Sequence, residues 1–89
     1  MIVVGHAGHI FGLEAGTGRA CWSVDLSSLD HCSDCAGEPV EIQPMNDATA
    51  YAACAGHVFR ISLKDGSIRW HSNLRQRGSS ETSMAVIKK

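Results

Sequence analysis

Long apolar runs are missing from this 89-residue chain: the longest cover only a few residues, far short of the ~20 a helix needs to cross a bilayer. No membrane-spanning helix is expected. The opening Met1-Ile2-Val3-Val4-Gly5-His6 has neither a basic lead-in nor an extended apolar stretch, so it reads as a strand and not as a secretory signal. A surplus of either charge is missing too. Eight Lys and Arg stand against nine Asp and Glu, a formal net charge of -1, which argues against binding to nucleic acid or to anionic lipid. The basic groupings, Arg75 with Arg77 and Lys88 with Lys89, read as solvated loop and end charges.

Cysteine is sparse. Cys21, Cys32, Cys35 and Cys54 are even in number but too irregularly spaced for a disulfide scaffold, so reduced thiols and a cytoplasmic setting are the simpler expectation. Motifs of catalysis are lacking as well: there is no nucleophile elbow, no phosphate-cradling glycine loop and no acid pair in a recognisable setting. No catalytic and no cofactor-binding residue is nominated.

What is present is a composition suited to one small folded domain, 44% hydrophobic and 19% charged, with the thin stability margin of a short chain. The chain also repeats itself. Residues 3–26 match residues 51–74 without a gap, at an offset of 48: Ala7, Gly8, His9, Phe11, Gly18, Trp22 and Leu26 meet Ala55, Gly56, His57, Phe59, Gly66, Trp70 and Leu74. Ile10 and Leu13 meet Val58 and Ile61.

Apolar residues alternate within each copy, the period of a half-buried strand. Phe59, Ile61 and Leu63 oppose Arg60, Ser62 and Lys64; Ile68, Trp70, Ser72 and Leu74 are expected to share a face, as are Ala20, Trp22, Val24 and Leu26. Ala7-Gly8, Ala55-Gly56, Gly16-Thr17-Gly18 and Asp65-Gly66 mark turns between these runs. The pattern predicts strands near 2–5, 9–14, 19–25, 40–43, 49–53, 57–62, 67–73 and 83–87. The fold class is all-β.

Four short antiparallel strands recurring every forty to fifty residues mark a β-propeller blade, a unit that must stack on neighbours to cover its apolar faces. The stretch Leu13-Glu14-Ala15-Gly16-Thr17-Gly18-Arg19-Ala20-Cys21-Trp22 resembles the tryptophan-docking motif of pyrroloquinoline-quinone-like repeats, whose usual form is Leu-Asp-Ala-x-Thr-Gly-Lys-x-x-Trp. The second copy, from Ile61 to Trp70, keeps the glycine and the tryptophan but loses the acidic residue, the alanine and the threonine. The resemblance implies that Trp22 and Trp70, with Gly18 and Gly66, are structural docking residues between neighbouring blades. It implies little about activity.

On this reading the chain holds about two blades of an incomplete propeller: a blade repeat over 3–26, an interblade loop over 27–39, a blade repeat over 40–74 and the start of a next blade over 83–89. Rings usually close with at least four blades. A fragment of a larger propeller is therefore expected, its partners being the remaining blades or further copies of the chain, and its role non-catalytic protein interaction or scaffolding. The related quinone-dependent dehydrogenases bind their cofactor and a calcium or lanthanide ion along the ring axis, a constellation drawn from several blades that this chain lacks. A fragment of such an enzyme, or of a propeller appended to an adenylate-forming acyl-activating enzyme, is the alternative.

The interblade loop carries His31-Cys32-Ser33-Asp34-Cys35. His31, Cys32 and Cys35 would supply three of the four ligands a structural zinc requires, with no obvious fourth, although Cys21 or Cys54 could approach. An ordinary loop insertion is the more economical account, and no cofactor is required. A redox role for Cys32 and Cys35 is disfavoured because Asp30 and Asp34 flank them and oppose thiolate formation. The recurring histidines of His6-Ala7-Gly8-His9 and Cys54-Ala55-Gly56-His57 cannot share one ion between stacked sheets ~10 Å apart, and they read as polar turn residues entering a strand.

Overall fold

Two tight turns set the framework of the computed structural model, which describes residues 1–74. Ala7 and Gly8 both take positive φ, 48° and 81°, and Ala55 and Gly56 do the same at 49° and 85°. Two successive left-handed residues are the backbone of a type I′ turn, whose twist matches that of the strands it joins. Each turn accordingly closes a hairpin: β1 (Ile2–His6) with β2 (His9–Leu13), paired from Ile2↔Leu13 to His6↔His9. Strand β3 (Ala20–Asp25) then adds to β2 and completes a three-stranded antiparallel sheet.

The second sheet repeats this plan and extends it by one strand. β4 (Glu41–Pro44), β5 (Thr49–Cys54), β6 (His57–Ser62) and β7 (Ile68–Asn73) pair antiparallel in chain order. The architecture is all-β, two meander sheets that do not close on each other. No helix among the described residues is long and apolar enough to cross a membrane. The strand expected at 83–87, the next blade expected to start there, and the basic groupings at Arg75, Arg77, Lys88 and Lys89 all lie outside the described residues.

The internal repeat extends to fine backbone detail. A β-bulge falls between Gly12 and Leu13 in the first sheet and between Arg60 and Ile61 in the second. Gly18 and Gly66 have φ of 76° and 77°, and their amides donate to Glu14 O and Ser62 O at 2.7 and 2.8 Å. Beyond the third strand of each unit, the Leu26 amide reaches Gly8 O at 2.9 Å and the Leu74 amide reaches Gly56 O at 2.7 Å.

Cross-strand partners share a face, and this sorts each sheet into an inner and an outer surface. The inner rows of the first sheet are Val3, Gly12 and Trp22, then Gly5, Ile10 and Val24. Those of the second are Ile42, Ala52, Phe59 and His71, then Ala50, Ile61 and Ile68. Between them lies the core, in which Ile10, Leu26, Ala52, Phe59 and Ile61 are wholly buried. The sheets approach closely where β1 meets the lead-in to β4: a Cβ on Gly5 would fall 2.7 Å from Val40 O, so only glycine fits there.

The bulges correct one expectation in both units: in the first sheet Cys21 is the extra residue, so Ala20 and Trp22 lie on opposite faces. In the second, because Arg60 pairs with Trp70 while Ile61 pairs with Ile68, Arg69 is the extra residue, and Ile68 and Trp70 end on opposite faces. Ile68 packs against the core, whereas Trp70 and Leu74 are exposed. The connection over 27–39 is also more ordered than a plain loop. It contains two short 3-10 turns, Leu26–Ser28 and Ser33–Cys35. Asp25 Oδ1 caps the first, accepting from the Ser27 amide at 3.0 Å and the Ser27 hydroxyl at 2.6 Å, and these bonds hold its carboxyl below the usual carboxylate range.

Candidate functional site

Among the described residues, two features hold chemistry beyond ordinary packing. The first is the contact made by Trp22. Its row-mate Gly12 lies under the ring edge, where a Cβ would come within 2.3 Å of Cε2, and the indole crosses to the second sheet and donates Nε1–H to Leu63 O at 3.0 Å. Gly66 lies beneath the other side of the ring: a Cβ there would fall 2.6 Å from Trp22 Cε3 and 2.9 Å from Val24 Cγ2. Gly66 therefore serves twice, supplying a left-handed φ and the space for the indole.

The residues that match this contact one repeat away are placed differently. Trp70, the counterpart of Trp22, is 43% exposed on the outer face, tilted against Tyr51 at 5.9 Å between ring centroids. Arg60 lies between them in the register and stacks its guanidinium 5.6 Å from the Tyr51 ring centre. Gly18, the counterpart of Gly66, has nothing within 4 Å of the position of a Cβ. Within the described residues Trp22 and Gly66 meet each other; Trp70 and Gly18 each sit on an outer surface.

The second feature is a cysteine–histidine cluster where the 27–39 connection crosses the inner face of the second sheet. Cys32 and Cys35 are both wholly buried, but their side chains have different neighbours. Cys35 Sγ reaches Cys54 O at 3.5 Å. Cys32 Sγ lies 3.5 Å from His71 Nε2 and 3.8 Å from His57 Nδ1. His31 takes a positive φ of 63° and is exposed. Two donor groups close enough to hold a metal are present among the described residues: Cys32, His57 and His71, and Asp34, Cys35 and His57, the atoms of each lying within 4.8 Å of one another. Neither contains His31.

His57 is the hinge of this cluster. It is wholly buried, not a polar residue at a strand mouth, and it uses both ring nitrogens. Nε2 lies 2.8 Å from Asp34 Oδ1 and Nδ1 lies 2.8 Å from His71 Nε2. A carboxylate only accepts, so Nε2 carries a proton toward Asp34, and in the neutral ring Nδ1 is then an acceptor for His71 Nε2–H. Phe59 stacks beneath, 4.8 Å from the His71 ring and 6.1 Å from that of His57.

Electrostatics favour the uncharged forms of the buried cysteines and of His71. Burial pushes the Cys32 thiol pKa up, with Asp34 and Asp30 adding to the effect, and burial likewise raises those of Cys35 and Cys54. Burial and the neighbouring His57 hold the His71 pKa below its ordinary value. All four cysteines are free, and only Cys21 is exposed. Thiols held neutral in this way are poor nucleophiles, in keeping with a structural setting.

His71 was the residue least visible from the sequence. Its signal was a departure from the repeat: the matching position in the first copy is Ser23. His9, the match of His57, stacks on Phe11 at 5.8 Å and faces Asp25 at 3.7 Å near the surface, with His6 as its cross-strand partner. Comparison with protein-family models, with curated proteins and with solved structures finds no match for this chain.

Proposed function

We propose that the chain is a non-catalytic repeat module of the β-propeller type, whose outer faces bind further sheets of the same kind. The observation that supports this is the Trp22 contact. Trp22 reaches from one sheet to Leu63 O and Gly66 of the next, and the chain carries the same parts again on its two outer surfaces. Trp70 repeats the indole, while Ala15 and Gly18 repeat the positions of Leu63 and Gly66. The outer face of the first sheet also exposes Ile2 and Val4, apolar groups that gain about 25 cal/mol for each Å² covered.

For the chain on its own, the available occupant is a second copy. Trp70 of one molecule would lie over Gly18 of the next and donate to its Ala15 carbonyl, a head-to-tail contact that closes into a ring when the rotation between copies allows it. Light scattering across a concentration series, with circular dichroism on the same samples, tests this. The chain is expected to form β-rich assemblies that Trp70→Ser returns to a folded monomer. A folded wild-type monomer at high concentration, or assembly unaffected by Trp70→Ser, would overturn the reading.

A further inference from the structure

We propose that Cys32, His57 and His71 bind one zinc ion, with the fourth position left to water. The three donor atoms come from distant parts of the chain, the 27–39 connection, β6 and β7, and converge at 3.5, 3.8 and 2.8 Å. Donors around a tetrahedral zinc with bonds of about 2.3 Å to sulfur and about 2.0 Å to nitrogen lie roughly 3.3–3.6 Å apart. Cys32 Sγ already stands at that spacing from His71, at 3.5 Å, and about 0.2 Å beyond it from His57, at 3.8 Å. The two nitrogens are closer because a single proton now lies between them, and they need to part by only about half an ångström for the ion to replace it.

The surroundings are those of a ligating histidine. A carboxylate that takes the remote N–H of an imidazole fixes its tautomer and turns the other nitrogen's lone pair toward the metal. Asp34 does this for His57, at 2.8 Å. One thiolate and two neutral imidazoles suit zinc better than the hard, oxygen-seeking cations. The competing group of Asp34, Cys35 and His57 would break the Asp34–His57 bond that orients the imidazole, so it is the poorer site. The repeat adds an independent argument. The first unit folds with His9 and Ser23 at the matching positions, so the sheet does not need a second imidazole there, and the Cys32–His57–His71 grouping is particular to the second unit.

Bound there, the ion would pin the connection between the sheets to the outermost strand of the second. Titration of the reduced chain with cobalt(II), followed by displacement with zinc, tests the assignment. One cobalt per chain is expected, with a thiolate-to-cobalt charge-transfer band and the strong visible absorption of four-coordinate geometry. His71 and His31 are both exposed, so their replacement leaves the core intact. His71→Ala should weaken binding by more than the roughly 10–100-fold expected for Asp34→Asn, and His31→Ala should leave it unchanged. A spectrum without the charge-transfer band, binding indifferent to His71→Ala, or binding lost in His31→Ala would each overturn the proposal.

Discussion

Trp22 and Trp70 occupy the same place in two matched segments, each opposite the residue that precedes a bulge in the preceding strand, yet one is docked and the other exposed. The local backbone is shared: the same I′ turn, the same bulge and the same left-handed glycine occur in both units. The neighbour differs. Trp22 has the second sheet to cross to, whereas Trp70 has only Tyr51 and Arg60 of its own sheet beside it among the contacts described. The same holds for the two histidines. His57 is sealed beneath the 27–39 connection, and His9 stands near the surface beside Asp25. A repeat therefore specifies how each unit folds, and its place in the stack specifies what each residue is worth.

The sharpest way to break this comparison is at the paired phenylalanines. Phe59 is wholly buried against Ile10 and Ile61 in the core, so Phe59→Ala should cost about 3–5 kcal/mol, enough to unfold so small a domain. Phe11→Ala, on the half-buried outer row, should cost much less at low concentration, and urea unfolding of both variants checks the contrast. Similar losses at both sites would mean that the outer face of the first sheet is already covered.

A smaller separation is expected at the glycines. Alanine at either Gly66 or Gly18 meets the left-handed penalty of about 1–2 kcal/mol. Gly66→Ala should cost more, because its Cβ would press to 2.6 Å against the Trp22 ring and Gly18→Ala has open space. Thermal unfolding should rank Gly66→Ala below Gly18→Ala. Equal midpoints would show that the indole moves aside freely.

The smallest effect is a pH dependence. The Cys35 and Cys54 thiols have pKa values raised by burial, so the folded chain resists their ionisation while the unfolded chain does not. Their contribution to stability is intact below the ordinary thiol pKa of about 8.5 and is lost as pH rises above it toward the folded values. The urea midpoint should fall through this alkaline window, and Cys54→Ala should flatten the decline. A midpoint flat up to strongly alkaline pH would show that the thiols are not sealed.

Much of the fold was legible in the residues. Strands at 2–6, 9–13, 20–25, 41–44, 49–54, 57–62 and 68–73 follow the alternation and the turn residues to within a position or so, because period-two burial and positive-φ turns are local properties. The split of Ile68 from Trp70 was not, since a bulge inserts one residue and reverses the alternation beyond it. The loop motif drew attention to Cys32 and Cys35 with His31, but the structure turns Cys32 toward His57 and His71, 25 and 39 residues away. Ligand spacing along a chain reports only groups that are close in sequence.

The sequence by itself determined the strands, their turns and the doubling of the unit, because backbone conformation and side-chain alternation are decided within a few residues. Only the tertiary structure decided which tryptophan is docked, which histidine is buried and which thiol meets an imidazole, because those outcomes depend on how two sheets and the connection between them approach one another in space.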